Sequence, residues 1–405
     1  MAAGWIVPVS TIFILQTTLS FQSRLIPILF PALAATYGWQ AGMVGYLSAA
    51  NILGALLILI AGSGFIRYLG GVRALQYGLL LGGAGLALFY SPYLAIALLA
   101  CALTGFGQGF ASPVGSEVLQ RFCPPNRRNL LFSVKQAGVP LGGVIAGLGI
   151  APLIDYAGWR PALLFSIALV LVAVGLTWPW RNRIDKPGRR GTTGDDEGSL
   201  MQRITRLVSA PLRSLGSDPE LPKLAIAGAL LSATQSCWFT FTAIYFVTDL
   251  GYSLGMAGVV FALMQATGVV GRICLGWLAD RLGQPLVILL LCAVVGTACS
   301  LLLYLSDASW PLSTLLLVSA LSGLSVSSWN GVHIAEIARC TPPALVAESA
   351  AGSAILVNCT NAIAPMMFGV LATLKGSLAP SWLIPAVFSL LASLVVIRAM
   401  RRPAA

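Results

Sequence analysis

Long apolar runs recur along the whole of this chain. Twelve can be counted, and most reach the roughly 20 residues that a helix needs to cross about 30 Å of hydrocarbon. They cover 6–33, 43–63, 74–90, 93–118, 129–153 and 160–178, then 223–247, 256–276, 285–305, 311–338, 346–372 and 380–398. The runs do not alternate between apolar and polar residues, as the strands of a membrane β-barrel would. The sequence therefore predicts an all-α membrane protein with twelve transmembrane helices.

Composition and the placement of charge agree with this prediction. Hydrophobic residues are 57% of the 405 and charged residues 9%, against about 25% charged in a soluble domain. The net charge of +11 comes largely from arginines in alternate loops or near the C-terminus, whereas 36–42, 91–93 and 307–310 contain no Lys or Arg. Those arginines are Arg67, Arg73, Arg121, Arg127, Arg128, Arg281, Arg398, Arg401 and Arg402. The asymmetry predicts that both termini are cytoplasmic, and it favours anionic lipid over nucleic acid as the partner of this charge.

One long polar segment, 181–222, separates the sixth run from the seventh. Its centre, 188–198, is rich in glycine, whereas 200–215 has apolar residues at helical spacing and predicts a short interfacial helix. We therefore expect an N-terminal six-helix bundle over 1–180, a cytoplasmic linker over 181–222 and a C-terminal six-helix bundle over 223–405.

The two predicted bundles repeat one another. Glu117 and Arg121 precede a Pro-Pro pair at the end of the fourth run, and Glu336 and Arg339 precede another at the end of the tenth. Internal repeats of this kind are typical of transporters whose two halves are pseudo-symmetric. We expect each acid and arginine to form a structural ion pair at the end of its helix, although Glu336 could instead bind a coupling proton.

A charged string lies between the eighth and ninth runs. It reads Gly-Trp-Leu-Ala-Asp-Arg-Leu-Gly from Gly276 to Gly283, and the equivalent string 63–70 has Arg67 in place of the acid. The string resembles the G-x-L-A-D-R-x-G loop signature of the major facilitator superfamily. That resemblance implies a twelve-helix secondary transporter in a bacterial inner membrane, working by alternating access. It also implies a conformational gate at a tight turn formed by Gly276, Asp280, Arg281 and Gly283.

Three cations fall within or near the predicted spans, where an ionisable residue is costly and is a candidate for function. Arg24 shares one face of the first helix with Gln16 and Ser20, so it could anchor an anion or reach the outer surface. Arg272 stands four residues before Gly276, an arrangement that resembles monocarboxylate and oxalate transporters of the superfamily. In those proteins the arginine pairs with the substrate carboxylate; here Arg272 could equally bind the gate.

Lys135 and Gln136 lie near the start of the fifth helix. Lys135 could contact an anionic substrate, but a pair with Glu117 on the fourth helix is favoured. The tenth run carries a polar ladder of Trp329, Asn330, His333, Glu336 and Arg339 at steps of one to three residues. His333 is the chain's single histidine and can titrate near neutral pH.

Further polar and aromatic residues in the second half could form walls of a substrate cavity. They are Trp238 on the seventh helix, Trp329 on the tenth, and Asn358 with Asn361 on the eleventh. A tryptophan inside a bundle is often simply packed, so this role for Trp238 and Trp329 stays open against plain packing.

Enzymatic chemistry finds no support in the sequence. The chain has no P-loop and no metal-ligand spacing, so we expect neither a cofactor nor a metal. The hypothesis is a monomeric transporter that imports a small organic anion, such as a carboxylate, together with protons. A proton-coupled efflux antiporter for drugs or metabolites is one alternative. A membrane sensor that does not transport is the alternative from another class.

Overall fold

The computed structural model describes residues 4–61, 63–124, 128–185, 208–342 and 345–401. Among these residues, twelve helices are long and apolar enough to cross a membrane, and no β-strand forms. The predicted all-α fold is confirmed, because each span coincides with one apolar run to within a few residues. The spans are Ile6–Tyr37, Ala41–Leu59, Gly71–Tyr90, Leu94–Phe122, Val134–Ala157, Trp159–Ile184, Leu221–Thr248, Leu254–Leu282, Pro285–Leu305, Leu312–Cys340, Glu348–Lys375 and Ala379–Met400.

The α-helices are numbered in chain order. They are α1 (Ile6–Tyr37), α2 (Val44–Ala61), α3 (Ser63–Leu69), α4 (Gly71–Ala87), α5 (Leu94–Phe122), α6 (Arg128–Ile145), α7 (Ala151–Ala157), α8 (Trp159–Thr177), α9 (Arg181–Ile184), α10 (Leu221–Thr248), α11 (Leu254–Leu282), α12 (Pro285–Leu305), α13 (Leu312–Val326), α14 (Asn330–Cys340), α15 (Val346–Lys375) and α16 (Leu383–Met400). A π-helical segment, Ala146–Ile150, joins α6 to α7 within one span.

The tenth span is broken at 327–329, between α13 and α14. The Ser327 N–H bonds to the Ser322 carbonyl, five residues back, at 3.3 Å, and the Ser328 N–H bonds to the Ser325 carbonyl, three residues back, at 3.2 Å. The regular i to i−4 pattern is therefore lost in a segment rich in serine, a residue that competes with the backbone for hydrogen bonds. The break leaves carbonyl groups that other side chains can reach.

The contacts divide the chain into two compact units. Unit 1 comprises Met1–Gly38, Ala50–Glu197 and Leu254–Gly258, and unit 2 comprises Trp39–Ala49, Gly198–Ser253 and Val259–Ala405. In unit 1, α1 packs along α6 and α5, and α4 along α5; in unit 2, α10 packs along α15 and α16. Each unit has its own buried apolar core, centred on residues such as Leu19 and Leu79 in unit 1 and Leu231 and Leu289 in unit 2.

The polar segment after the sixth span is described from residue 208 onwards. Within the predicted short helix 200–215, residues 208–214 are helical, and one further turn, Leu215–Ser217, is a 3-10 helix. Ser214 and Ser349 lie 3.2 Å apart, hydroxyl to hydroxyl, so this helix packs on α15 inside unit 2. The glycine-rich stretch 188–198 lies outside the described residues.

Candidate functional site

Lys135 is a buried cation in unit 1. Its side chain leaves α6 and lies against α5, where Gly115 makes room: a Cβ on that glycine would lie 2.7 Å from the Lys135 Nζ. Lys135 is 4% exposed. The expected pair with Glu117 does not form among the described residues, because Glu117 is exposed at the surface of α5. Lys135 therefore holds a positive charge inside unit 1 with no carboxylate of the described chain beside it.

The polar face of α1 lies close to α6. Gln16 and Ser20, both predicted as site residues, are buried there, as is Thr17. The Thr17 and Ser20 hydroxyls find no hydrogen-bond partner among the described residues. Arg24 continues this helix and is half-buried, whereas Gln136 on α6 is exposed. The predicted site residues of unit 1 thus differ in how far their side chains are buried.

A buried amide network next to Arg24 was missed by the sequence analysis. Asn51 donates to Thr104 at 2.8 Å, Ser23 donates to Asn51 at 3.0 Å, and the Gln108 amide lies 3.1 Å from the Ser23 hydroxyl. These side chains join α1, α2 and α5. They could have been identified as polar residues inside apolar runs. The sequence analysis considered mainly the charged residues in those runs and so did not identify them.

In unit 2, two side chains bind the carbonyls at the break in the tenth span. Arg272 on α11 donates its Nε–H to the Ser327 carbonyl at 3.1 Å, and Gln235 on α10 donates to the Val326 carbonyl at 2.9 Å. Ser328 in turn donates to the Gly268 carbonyl of α11 at 3.1 Å. Arg272 thus uses one of its N–H groups to stabilise the backbone at the break. Gln235 is a site candidate that the sequence analysis did not identify.

His333 on α14 is buried against α10. Its Nε2 lies 3.0 Å from the Leu224 carbonyl, and a carbonyl only accepts, so Nε2 carries the hydrogen. Gly228 permits this approach, since any Cβ there would collide with the imidazole. The Trp329 ring meets the His333 ring edge to face, with centroids 5.3 Å apart. Asn330, the first residue of α14, lies 3.4 Å from the Gln235 amide.

The two predicted ion pairs at the helix ends differ. Glu336 is 2% exposed and accepts from Arg339 through both oxygens, one of them at 2.7 Å from Nε. The predicted Glu117–Arg121 pair is wrong for the described residues. Arg121 instead donates to the Ile184 carbonyl and lies over the Phe122 ring, 4.5 Å from its centroid. The arginine is drawn to the end of α9, where a helix C-terminus offers a carbonyl.

The string 276–283 is not a turn over most of its length, which corrects the sequence analysis. Helix α11 continues to Leu282, and only Gly283 leaves it, at φ +61°. Asp280 and Arg281 are exposed, with the Arg281 guanidinium 5.0 Å from the centre of the Trp277 ring. A Cβ on Gly276 would meet nothing within 4 Å among the described residues, so no close approach of another helix requires glycine there.

The equivalent turn in unit 1 is held by an acid from elsewhere in the chain. Asp185 accepts from the Val72 and Arg73 N–H groups at the start of α4, at 2.8 and 3.1 Å. It therefore caps the helix in place of Gly70, whose φ of +91° and proximity to Asp185 both require glycine. Burial raises the pKa of the Asp185 carboxyl, opposed by these hydrogen bonds and by the charges of Arg73 and Arg121.

Two predicted cavity-wall residues take different positions. Trp238 is fully buried in an aromatic cluster of unit 2, where its indole N–H donates to Ser300 at 3.0 Å and its ring lies 4.8 Å from Trp382. Packing, the simpler of the two interpretations, describes Trp238. Asn358 is half-buried on α15 and bonds to the Ala354 carbonyl of its own helix at 2.8 Å.

Twelve apolar spans, with Lys135 buried within one of them, define a multi-pass membrane protein. The family model of the Major Facilitator Superfamily matches residues 12–336, and the chain belongs to that superfamily. The superfamily and the relatives described below are transporters rather than enzymes.

Three relatives illustrate the similarity. An uncharacterised MFS-type transporter of Mycobacterium tuberculosis is 26% identical over 72% of this chain and 61% of its own length. A gallate transporter of Pseudomonas putida is 25% identical over 68% of this chain and 66% of its own length. The 4-hydroxybenzoate transporter PcaK of Acinetobacter baylyi is 27% identical over 62% of this chain. The chain spans 60% to 66% of the length of these relatives.

A solved structure shares the fold over nearly the whole chain. The crystal structure of a bacterial homologue of the human lysosomal transporter Spinster, in an inward-facing and occupied conformation, superposes with a TM-score of 0.76. The superposition covers 99% of this chain and 98% of that one at 15% sequence identity. At that identity the likeness establishes the fold alone.

Proposed function

We propose that this transporter moves a small organic anion, such as a carboxylate, across the membrane by alternating access coupled to protons. The observation that carries the proposal is Lys135, a buried ammonium inside unit 1 with no carboxylate partner among the described residues. An isolated charge in a low-dielectric interior is costly unless something of opposite charge accompanies it. An anionic substrate would supply that partner during part of the transport cycle.

Other features support an anionic substrate. Arg24 and Arg272 add two half-buried cations within the spans, and a guanidinium can grip a carboxylate through two parallel hydrogen bonds. Arg272 donates its Nε–H to the Ser327 carbonyl, so its terminal nitrogens are the donors that could bind a substrate. Two of the relatives are named for gallate and 4-hydroxybenzoate, which are both aromatic carboxylates.

For the coupling proton we propose Glu336 or His333, the carboxylate and the imidazole of α14. Each already has a partner, Arg339 for Glu336 and the Leu224 carbonyl for His333. Protonation of Glu336 would weaken its ion pair with Arg339 at the end of the tenth span. We further propose a bacterial inner membrane, cytoplasmic termini, a monomeric carrier, and bundles 1–180 and 223–405 as the moving halves.

Uptake into proteoliposomes tests the proposal. Purified protein is reconstituted, and labelled 4-hydroxybenzoate, a cationic dye and a neutral sugar are offered with and without an inward proton gradient. We expect accumulation of the carboxylate alone, increased by the gradient and abolished in Lys135→Met. Lys223→Met is the matched control, because Lys223 is more exposed and already pairs with Glu220 at 2.9 Å.

Other outcomes would favour the alternatives. Transport of only neutral or cationic compounds would contradict the organic-anion proposal. Loss of preloaded dye in exchange for protons would support an efflux antiporter, and ligand binding without any flux would support a sensor.

A further inference from the structure

Unit 2 contains a small cavity between α14 and α15. Its volume is about 140 Å³, and its lining includes Trp329 at the break before α14, Asn330 and His333 from α14, and Ser353 from α15. Aliphatic and small side chains such as Ile337 and Val357 complete the walls. None of the described residues that line it carries a carboxylate, an ammonium or a guanidinium.

Two polar groups of the lining lack a partner. The indole N–H of Trp329 and the hydroxyl of Ser353 are buried, and neither makes a hydrogen bond with the described residues. Trp329 is 1% exposed and Ser353 4% exposed. A buried polar group without a partner is costly, so two of them beside the same cavity indicate that something polar is bound there at some stage.

The size and the chemistry of the cavity restrict that occupant. An apolar cavity of about 150 Å³ accommodates a benzene molecule. The Trp329 and His333 rings, together with the aliphatic walls, suit the apolar body of a single aromatic ring. An indole N–H only donates, whereas a serine hydroxyl both donates and accepts. A phenol hydroxyl can accept from the first and donate to the second.

Building on the proposed function, we propose that this Trp329 cavity binds the hydroxyl-bearing ring of a monocyclic phenolic carboxylate. The carboxylate itself lies outside the cavity, because nothing in the described lining would neutralise it. The hydroxyl accepts a hydrogen bond from Trp329 and donates one to Ser353. A ring without the hydroxyl enters the cavity but leaves both protein groups unpaired.

Binding of three related probes tests the inference. They are 4-hydroxybenzoate, benzoate and the uncharged 4-hydroxybenzamide, titrated into full-length purified protein. Trp329→Phe keeps an aromatic ring and removes the N–H, and Ser353→Ala removes the hydroxyl. We expect each variant to weaken both hydroxylated probes by about 3- to 10-fold, the usual range for one neutral hydrogen bond, and to leave benzoate within about twofold.

Two matched controls come from the same unit. Trp382 and Ser381 are also fully buried, and the Trp382 indole N–H and the Ser381 hydroxyl also lack partners among the described residues, but neither residue lines this cavity. Trp382→Phe and Ser381→Ala should leave all three affinities unchanged. Thermal unfolding of each variant identifies any loss of folded protein, and the milder Ser353→Ala decides the result if Trp329→Phe is unstable.

The outcomes separate the inference from the proposed function. Equal effects on benzoate and 4-hydroxybenzoate, or no effect on either, would mean that the cavity holds water or nothing, and would overturn the inference alone. If wild type binds only the uncharged amide, and the variants weaken it, the cavity assignment stands and the organic-anion proposal fails. If wild type binds none of the three probes, both are overturned.

Discussion

Lys135 in unit 1 and Arg272 in unit 2 are both cations within the spans, but of these two only Arg272 is bonded to another of the described residues. In unit 2, Arg272 donates to the Ser327 carbonyl at the break in the tenth span. In unit 1, Lys135 is 4% exposed and lies against Gly115, without a carboxylate partner among the described residues. The difference separates two uses of buried charge. Arg272 stabilises an irregular stretch of backbone, whereas we propose that the charge of Lys135 is available to a ligand.

The two glycine turns differ in the same way. The turn at Gly283 has the intact acid and arginine of the family signature, yet both side chains are exposed. The turn at Gly70 lacks the acid at position 67, and Asp185 from the end of the sixth span caps α4 instead. The turn at Gly70, which departs from the family signature, is thus the one whose N–H groups have a side-chain acceptor. An exposed acid is available for a conformational switch, whereas a capping acid is not.

The largest effect is expected at Lys135. Lys135→Met should reduce affinity for an anionic substrate by two to three orders of magnitude or more, because a buried substrate charge left unpaired costs about 3–5 kcal/mol. The variant should be at least as stable as wild type, since an isolated buried charge is removed. Calorimetry and thermal unfolding measure the two quantities. A large loss of stability with unchanged affinity would instead assign Lys135 a structural role.

Replacement of Arg272 should affect stability more, and substrate affinity less, than replacement of Lys135. Arg272→Ala removes the donor to the Ser327 carbonyl and should lower the free energy of unfolding by about 1–3 kcal/mol. Affinity should fall by about 10- to 100-fold, and Arg272→Lys should recover part of it because the charge remains without the planar fork. Denaturation and binding of the same samples provide the measurement. If Arg272→Ala proves as stable as wild type, the comparison with Lys135 breaks down.

Asp280 tests the exposed turn. We expect Asp280→Asn to slow transport by about 10-fold while substrate affinity stays within about twofold, because the acid is proposed to favour one conformation rather than to touch substrate. Asp307→Asn is the control: Asp307 is also exposed, lies in a different loop and accepts from Ser309. Loss of substrate binding in folded Asp280→Asn would contradict the proposed gate.

The smallest effect is expected at Asp185. Asp185→Ala leaves two N–H groups of α4 without their acceptor and should destabilise the protein by about 1 kcal/mol, as loss of a helix cap does. Burial raises the pKa of this carboxyl, so the folded state holds its proton more tightly than the unfolded state. The contribution of the Asp185 carboxyl to the free energy of unfolding is therefore largest below the ordinary carboxyl pKa. This contribution decreases as pH rises through the raised pKa. Unfolding measured at several pH values should show this decrease in wild type and not in the variant.

The spans were predictable because the energetic requirement is local: a helix must be apolar over about 20 residues to cross lipid. The buried cations could be identified for the same reason, since an ionisable residue inside an apolar run stands out. The turn expected over 276–283 was predicted less accurately, because α11 extends to Leu282.

Side-chain partners on other helices could not be predicted, because they depend on which backbone groups those helices bring near. Glu336 and Arg339 form an ion pair across one helical turn, as expected. Arg121, however, donates to the Ile184 carbonyl at the end of α9 and does not pair with Glu117. The break at 327–329 had a local signal in its serines, yet its stabilisation by Gln235 from α10 is a tertiary contact. Partners supplied from distant helices were thus the part that the sequence pattern did not reveal.

Affinity for a carboxylate relative to its uncharged isostere tests most directly whether Lys135 recognises substrate charge. The isosteres are 4-hydroxybenzoate and 4-hydroxybenzamide, measured by calorimetry on wild type and Lys135→Met. We predict that wild type prefers the carboxylate by at least about 100-fold, the equivalent of roughly 2.8 kcal/mol, and that the preference nearly disappears in the variant. Equal binding of acid and amide by wild type, or a preference that survives in Lys135→Met, would contradict recognition of an anion by this lysine.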